Sequence, residues 1–122
     1  MASLQWITHN GKKVLLLDFT QRSGVAVEQL AREVQQVITA QPRDSLLVLA
    51  DFTGVTLSEE AGRQIAKAAA ADRPYVTRTA WVGAFPEALF HHVRDYSQRD
   101  IHRFATREEA LLFLTADGEG IQ

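Results

Sequence analysis

Two stretches of this sequence repeat one another: Asp18-Phe19-Thr20 and Asp51-Phe52-Thr53. Each follows an apolar run, Val14 to Leu17 in the first case and Leu46 to Ala50 in the second. An aspartate two residues before a threonine can close a turn by accepting backbone N–H groups. The same groups can also meet a ligand or partner at the carboxyl end of a strand. Turn closure, with each Phe packed beneath, is the simpler use and is assigned to Asp18. Both uses stand for Asp51, because its loop is longer and richer in hydroxyls: Asp51-Phe52-Thr53-Gly54-Val55-Thr56-Leu57-Ser58-Glu59-Glu60-Ala61-Gly62. Asp51, Thr53, Thr56, Ser58, Glu59 and Glu60 form the candidate partner-binding set. Ser58 also reads as a helix cap, and Glu59 and Glu60 suit the positive end of a helix dipole.

A second candidate is the apolar segment Ala84 to Phe90, in which Phe85, Leu89 and Phe90 would form an apolar ligand or partner patch. Core packing is the competing use, and an exposed patch of this kind would mark a docking site. His91 and Asp95 stand one helical turn apart, with His102 on a different element. Two ligands on one helix do not make a closed metal site, which needs about four. No metal and no cofactor are expected. The sequence contains no Gly-x-Ser-x-Gly elbow, no Gly-x-Gly-x-x-Gly and no phosphate-cradling Gly-Lys-Ser/Thr, so no catalytic residue is assigned.

The elements that must position these groups follow from periodicity. Leu4–Thr8 and Lys13–Phe19 flank Asn10-Gly11, a dipeptide that tolerates the positive φ values of a tight hairpin. Val27, Leu30, Val34, Val37 and Ile38 recur at helical spacing, with Ser23 or Gly24 as cap and Gln41-Pro42 as stop. Leu46–Ala50 is a buried strand, and an alanine-rich helix runs from Ser58 to Ala71. Tyr75–Gly83 is a further strand. Pro86 opens a helix at its first turn, with Leu89, Phe90, Val93 and Tyr96 on its apolar side. Ile101–Phe104 is a short strand. Thr106-Arg107-Glu108-Glu109 is a capping box before the last helix, which holds Leu111, Leu112 and Leu114. Residues 115–122 are expected to fray, with Asp117–Gln122 as the tail.

The order β-β-α-β-α-β-α-β-α predicts an α/β fold with a mostly parallel five-stranded sheet, one antiparallel strand and helices packed on it. Without a Gly-, Ser- or Pro-rich linker, 1–122 is read as one domain. The 122 residues contain no cysteine, which excludes disulfides and thiolate chemistry. The net charge of −2 and the scattered arginines argue against a nucleic-acid binder. With no signal-peptide pattern and no span-length apolar run, a cytoplasmic protein without integral membrane association is expected.

On these motifs the chain resembles the SpoIIAA-like family within the STAS (anti-sigma-factor antagonist) group. Asp51-Phe52-Thr53-Gly54-Val55 matches the first half of the family's strand-end motif. Arg73-Pro74-Tyr75-Val76 leading to Val82-Gly83 is similar to its fourth strand. Ile101-His102-Arg103-Phe104 with Thr106-Arg107-Glu108-Glu109-Ala110 is similar to its last strand and helix. The second half of the motif departs: its acidic position falls on Glu59, and its phospho-acceptor serine position falls on Glu60. The resemblance implies a non-enzymatic interaction or regulatory module without the usual phospho-acceptor serine. Its alternative is a small-ligand or lipid carrier of the SpoIIAA-like/Sec14 type, and an enzyme using Asp18, Asp51 and a histidine stands third. The partner would be a protein or a small apolar ligand, and a homodimer fits a domain of this size.

Overall fold

A turn of two residues starts the sheet. Asn10 and Gly11, at φ 50° and 77°, fold strand β1 (Leu4–His9) back onto β2 (Lys12–Asp18). These positive values belong to the hairpin turn whose twist matches that of the flanking strands. The computed structural model describes residues 3–116. From β2 the chain alternates through α1 (Val25–Thr39), β3 (Leu46–Asp51), α2 (Glu59–Asp72), a single 3-10 turn (Arg73–Tyr75), β4 (Val76–Val82), α3 (Glu87–Ser97), β5 (Ile101–Phe104) and α4 (Arg107–Thr115). The sheet runs β1-β2-β3-β4-β5, antiparallel between the first two strands and parallel thereafter. The expected fold class is the one observed.

Because each crossover steps to the next strand in one direction, right-handed connections put α1, α2 and α3 on one face. There Val27, Leu30, Val34 and Ile38 of α1 pack with Leu15, Leu17, Val48, Ala50 and Trp81 of the sheet. Each fully buried aliphatic side chain of this kind contributes about 1.5–3 kcal/mol. Alanines 61, 66, 68 and 69 let α2 approach closely in the same layer. On the opposite face Val14, Leu16, Leu49, Ala80 and Val82 meet Ala110 and Leu114 of α4. β2 and β3 are therefore covered on both sides, which is why they read as continuous apolar runs.

Of the two caps expected for α1, Gly24 takes the position, and Ser23 bridges to Thr56. Local details depart from expectation in four places. Pro86 is the N-cap of α3, one position before the first turn, so its carbonyl accepts from the Phe90 N–H at 2.9 Å. The buried stripe of α3 is Phe90, Val93 and Ser97, and Tyr96 is 54% exposed. Thr115, expected in the fraying tail, is the last helical residue and is buried, its hydroxyl donating to the Leu111 carbonyl at 2.7 Å. The tail Asp117–Gln122 lies outside the described residues. At the start of α4, Thr106 Oγ1 accepts from the Glu109 N–H at 3.2 Å. Glu109 answers through the Thr106 hydroxyl at 3.4 Å, not through its N–H, so half of the capping box forms.

Candidate functional site

The two Asp-Phe-Thr copies end adjacent parallel strands in register, with Asp18 opposite Asp51. Each aspartate Oδ1 accepts twice from the threonine two residues on. For Asp18 the Thr20 N–H donates at 3.0 Å and the Thr20 hydroxyl at 2.5 Å. For Asp51 the Thr53 distances are 3.0 and 2.6 Å. The repeat runs one residue further than its letters, since Gln21 and Gly54 both adopt positive φ, 61° and 73°. The loops then run side by side: Phe19 N–H donates to the Asp51 carbonyl at 3.0 Å, Gln21 N–H to Thr53 at 2.9 Å, and Thr56 N–H to Arg22 at 3.0 Å. Beneath them Phe19 and Phe52 stack, ring centres 4.8 Å apart at 20°.

Two like charges on facing strand ends need a counter-charge, and Arg107 supplies it from the first residue of α4. Its Nε donates to Asp51 Oδ2 at 2.6 Å, and its Nη2 lies 3.8 Å from Asp18 Oδ1. Burial alone would push the Asp51 carboxyl up. The Thr53 hydroxyl and N–H, with the Arg107 guanidinium, outweigh that and hold it below the usual carboxylate range. At 4% exposure with both oxygens engaged, Asp51 is a tie within the fold and not a surface a partner can touch. Its proposed contact role is corrected to one of holding the loop.

What that tie presents is a row of exposed side chains: Thr53, Thr56, Ser58, Glu59 and Glu60. Ser58 caps α2, its Oγ accepting from the Ala61 N–H at 3.1 Å. Arg63, one turn into α2, grips Glu60 Oε2 through Nε at 3.1 Å and Nη2 at 2.6 Å. The hydrogen bond from Arg63 and then its charge hold the exposed Glu60 carboxyl low. Glu59, with its side chain 93% exposed and 3.7 Å from Arg63, projects further than Glu60.

The apolar candidates divide. Phe85 and Phe90 are 9% and 4% exposed and join Phe52 and Trp81 in one aromatic cluster, with Phe52–Phe85 at 4.9 Å and Trp81–Phe90 at 5.6 Å. The cause lies just upstream. Gly83, at φ 97°, lets the β4–α3 connection pass so close to β3 that a Cβ there would sit 2.7 Å from the Thr53 nitrogen. That approach turns Phe85 inward, so core packing is the observed use of both rings. Leu89 alone reaches a surface groove of about 460 Å³ between α2 and α3, bordered by Glu59, Arg63, Lys67, His92 and Tyr96. Nearby, α2 and α3 touch at Gly62, where a Cβ would lie 2.7 Å from Leu89 Cδ1. Lys67, Arg63, Tyr96 and Arg107 were missed in the sequence. Tyr96 sits at an i+3 step from Val93 that reads as core, and Arg107 reads as part of a helix cap.

The histidines weighed as metal ligands pair locally. His91 Nε2 lies 3.1 Å from Glu87, not beside Asp95, and His102 Nε2 lies 3.2 Å from Asp100. Among the described residues no three metal-ligating side chains gather, and no helix is long and apolar enough to cross a membrane. A different polar cluster lies at the far end of α2. Asp72, 3% exposed, has an Oδ1 without a hydrogen-bond partner, and burial pushes its carboxyl up to about 7 against the pull of Arg99. Arg99 donates to Thr79 Oγ1, and to the Ala69 carbonyl at 3.4 Å. These three side chains share a cavity of about 40 Å³ with the apolar underside of α1 and α2.

Comparison with solved structures places the architecture. A DUF3478-family protein with a SpoIIAA-like fold from Shewanella loihica PV-4 superposes with a TM-score of 0.69 at 16% identity, covering 91% of each chain. The anti-sigma factor antagonist SpoIIAA in its unphosphorylated form superposes with a TM-score of 0.59 at 16% identity, covering 93% of this chain and 99% of that one. No family model and no curated protein matches the sequence. The chain has a SpoIIAA-like α/β fold.

Proposed function

We propose that this SpoIIAA-like chain is a non-enzymatic regulatory module that binds a protein partner along the start of α2 and the α2–α3 groove. The observation that carries this reading is the clamped edge. Asp18, Asp51 and Arg107 spend their charges on one another, and the loop they hold presents Thr53, Thr56, Ser58, Glu59 and Glu60 outward. Such an arrangement offers a preordered polar rim, and the groove beside it offers a socket for an apolar anchor between Leu89 and Tyr96. SpoIIAA, which shares the fold, is described as an anti-sigma factor antagonist, a role that works through protein contacts. Glu60 at the phospho-acceptor position means that any regulation here does not run through a serine at that place. The strand-end carboxylates support an interaction role over an enzymatic one. Both point into the clamp, and neither lines the buried cavity or the groove.

The carrier alternative has less support. The cavity beneath α1 and α2, at about 40 Å³, has the volume of roughly one water. Phe85 and Phe90, which would have lined a larger site, fill the core. Affinity capture from lysate with wild-type bait and with Glu59→Lys/Glu60→Lys bait tests the proposal. A protein enriched by the wild type and reduced at least about tenfold by the variant, with melting unchanged, is expected, since opposed charge at a rim suppresses the complex. An identical capture profile for both baits would sink it.

A further inference from the structure

The sheet has two edges, and they are guarded differently. The outer edge at β5 is four residues long and carries His102 and Arg103, with Asp100 just before it. Short, charged edges resist pairing with another chain. The edge at β1 is six residues, Leu-Gln-Trp-Ile-Thr-His, without proline, acid, lysine or arginine. Among the described residues β1 pairs with β2 alone.

The register identifies which backbone groups are free. With a two-residue turn, His9–Lys12 is a hydrogen-bonded pair, and such pairs recur at Ile7–Val14 and Gln5–Leu16. The Asp18 N–H donating to the Ser3 carbonyl at 2.8 Å extends the alternation by one more step. The N–H and C=O groups of Leu4, Trp6 and Thr8 therefore point away from β2. Their side chains share the face on which Leu15 and Leu17 lie, and Trp6, opposite Leu15, is 46% exposed. Lys13 Nζ sits 5.6 Å from the centre of its ring.

We propose that β1 pairs antiparallel with β1 of a second copy of this chain, about a two-fold axis through Trp6, joining two sheets into one of ten strands. Three outward residues centred on Trp6 make the edge self-complementary: Trp6 faces Trp6 of the copy, and Leu4 faces Thr8. The pairing satisfies all six free backbone groups of each strand and covers the exposed indole with its own counterpart. Within β1 itself no formal like charges meet, because it has none apart from His9 at its end, beyond the three outward pairs, and Lys13 reaches its own Trp6 ring from one strand back, on β2. A second copy fits better than an unrelated strand because the free groups, the tryptophan and the neutrality all obey the same two-fold. This inference is independent of the α2 surface proposed for a partner.

Sedimentation equilibrium and light scattering of the full chain test it, with tryptophan fluorescence followed on dilution; Trp81, the other indole, is buried in the core and gives a constant background. The wild type is expected at twice its 13.6 kDa monomer mass, with indole emission shifting to the red as it dissociates. Thr8→Pro removes one outward donor per strand, where an edge tolerates proline, and Trp6→Lys sets like charges together at the axis. Each substitution acts twice in the dimer and is expected to weaken it by about tenfold or more. Circular dichroism and melting report whether each variant still folds; Trp6→Lys, at an exposed position, serves if Thr8→Pro does not. A wild type that stays monomeric at high concentration would overturn the proposal. So would a dimer equally tight in folded variants.

Discussion

Asp51 and Asp72 lie at opposite ends of the loop and helix that carry the candidate surface, and they are almost equally closed to solvent, at 4% and 3% exposure. Their carboxyls nevertheless move in opposite directions. Asp51 is held low by Thr53 and Arg107, whereas Asp72, with one oxygen unanswered, is pushed up to about 7. Both side chains are shut off from solvent, but Asp72 lies deeper and has no donor on Oδ1, so desolvation wins there, whereas at Asp51 the Thr53 and Arg107 donors outweigh it. The difference separates a rigid edge from a soft one. The β3–α2 loop hangs from a satisfied ion pair. The far end of α2 sits on a carboxyl that titrates near neutrality beside a cavity of about 40 Å³.

The largest effect expected from this contrast is in stability against pH. Asp72 binds its proton more tightly folded than unfolded, so its contribution is complete below about pH 4 and is lost as pH rises through about 7. Three pKa units at about 1.36 kcal/mol each make the loss about 4 kcal/mol at most. Urea unfolding of Asp72→Asn at several pH values should show that decline flattened. A decline of unchanged size would show that Arg99 or water already answers the carboxylate. Asp51 acts with the opposite sign: its contribution is present above about pH 4 and disappears as acid protonates it below its folded value.

A smaller effect sharpens the role of Arg107. Asp51→Ala leaves that guanidinium and the Thr53 donors without their acceptor and should cost about 2–3 kcal/mol in chemical denaturation. Asp18→Ala, whose side chain is 23% exposed and 3.8 Å from Arg107, should cost under about 1 kcal/mol. Equal losses would mean that the two copies share the load. An effect smaller than that of Asp51→Ala concerns the loop itself. Gly54 at φ 73° would place a Cβ 2.3 Å from the flexible Gln21 amide, so Gly54→Ala should cost about 1–2 kcal/mol, mostly for the left-handed backbone. Thermal melting would read that loss. No loss would indicate that the loop relaxes freely and does not preorder the row from Thr53 to Glu60.

Much of the architecture was legible because it rests on short-range rules. Asn10-Gly11 made the hairpin, the apolar runs at Val14 and Leu46 made strands covered on both faces, and Ser58 and Thr106 capped the helices that follow them. The repeated Asp-Phe-Thr announced two like turns, and both formed through bonds spanning only two residues. Phe85 and Phe90 were less legible, since an apolar segment reads alike whether it faces solvent or folds inward. In the structure both rings lie in the aromatic cluster with Phe52 and Trp81.

By itself, then, the sequence determined the order of elements, the mixed sheet and the geometry of each turn, because periodicity, capping and positive-φ residues act within a few positions of the chain. Only the tertiary structure decided that Arg107 closes a clamp on Asp51 from 56 residues away. It also decided that Asp72 stays unanswered, and that Tyr96 borders a groove while Phe90 fills the core. Those outcomes depend on which donors, charges and surfaces distant segments bring together, and a charge or an aromatic ring carries no mark in the sequence of the partner it will meet.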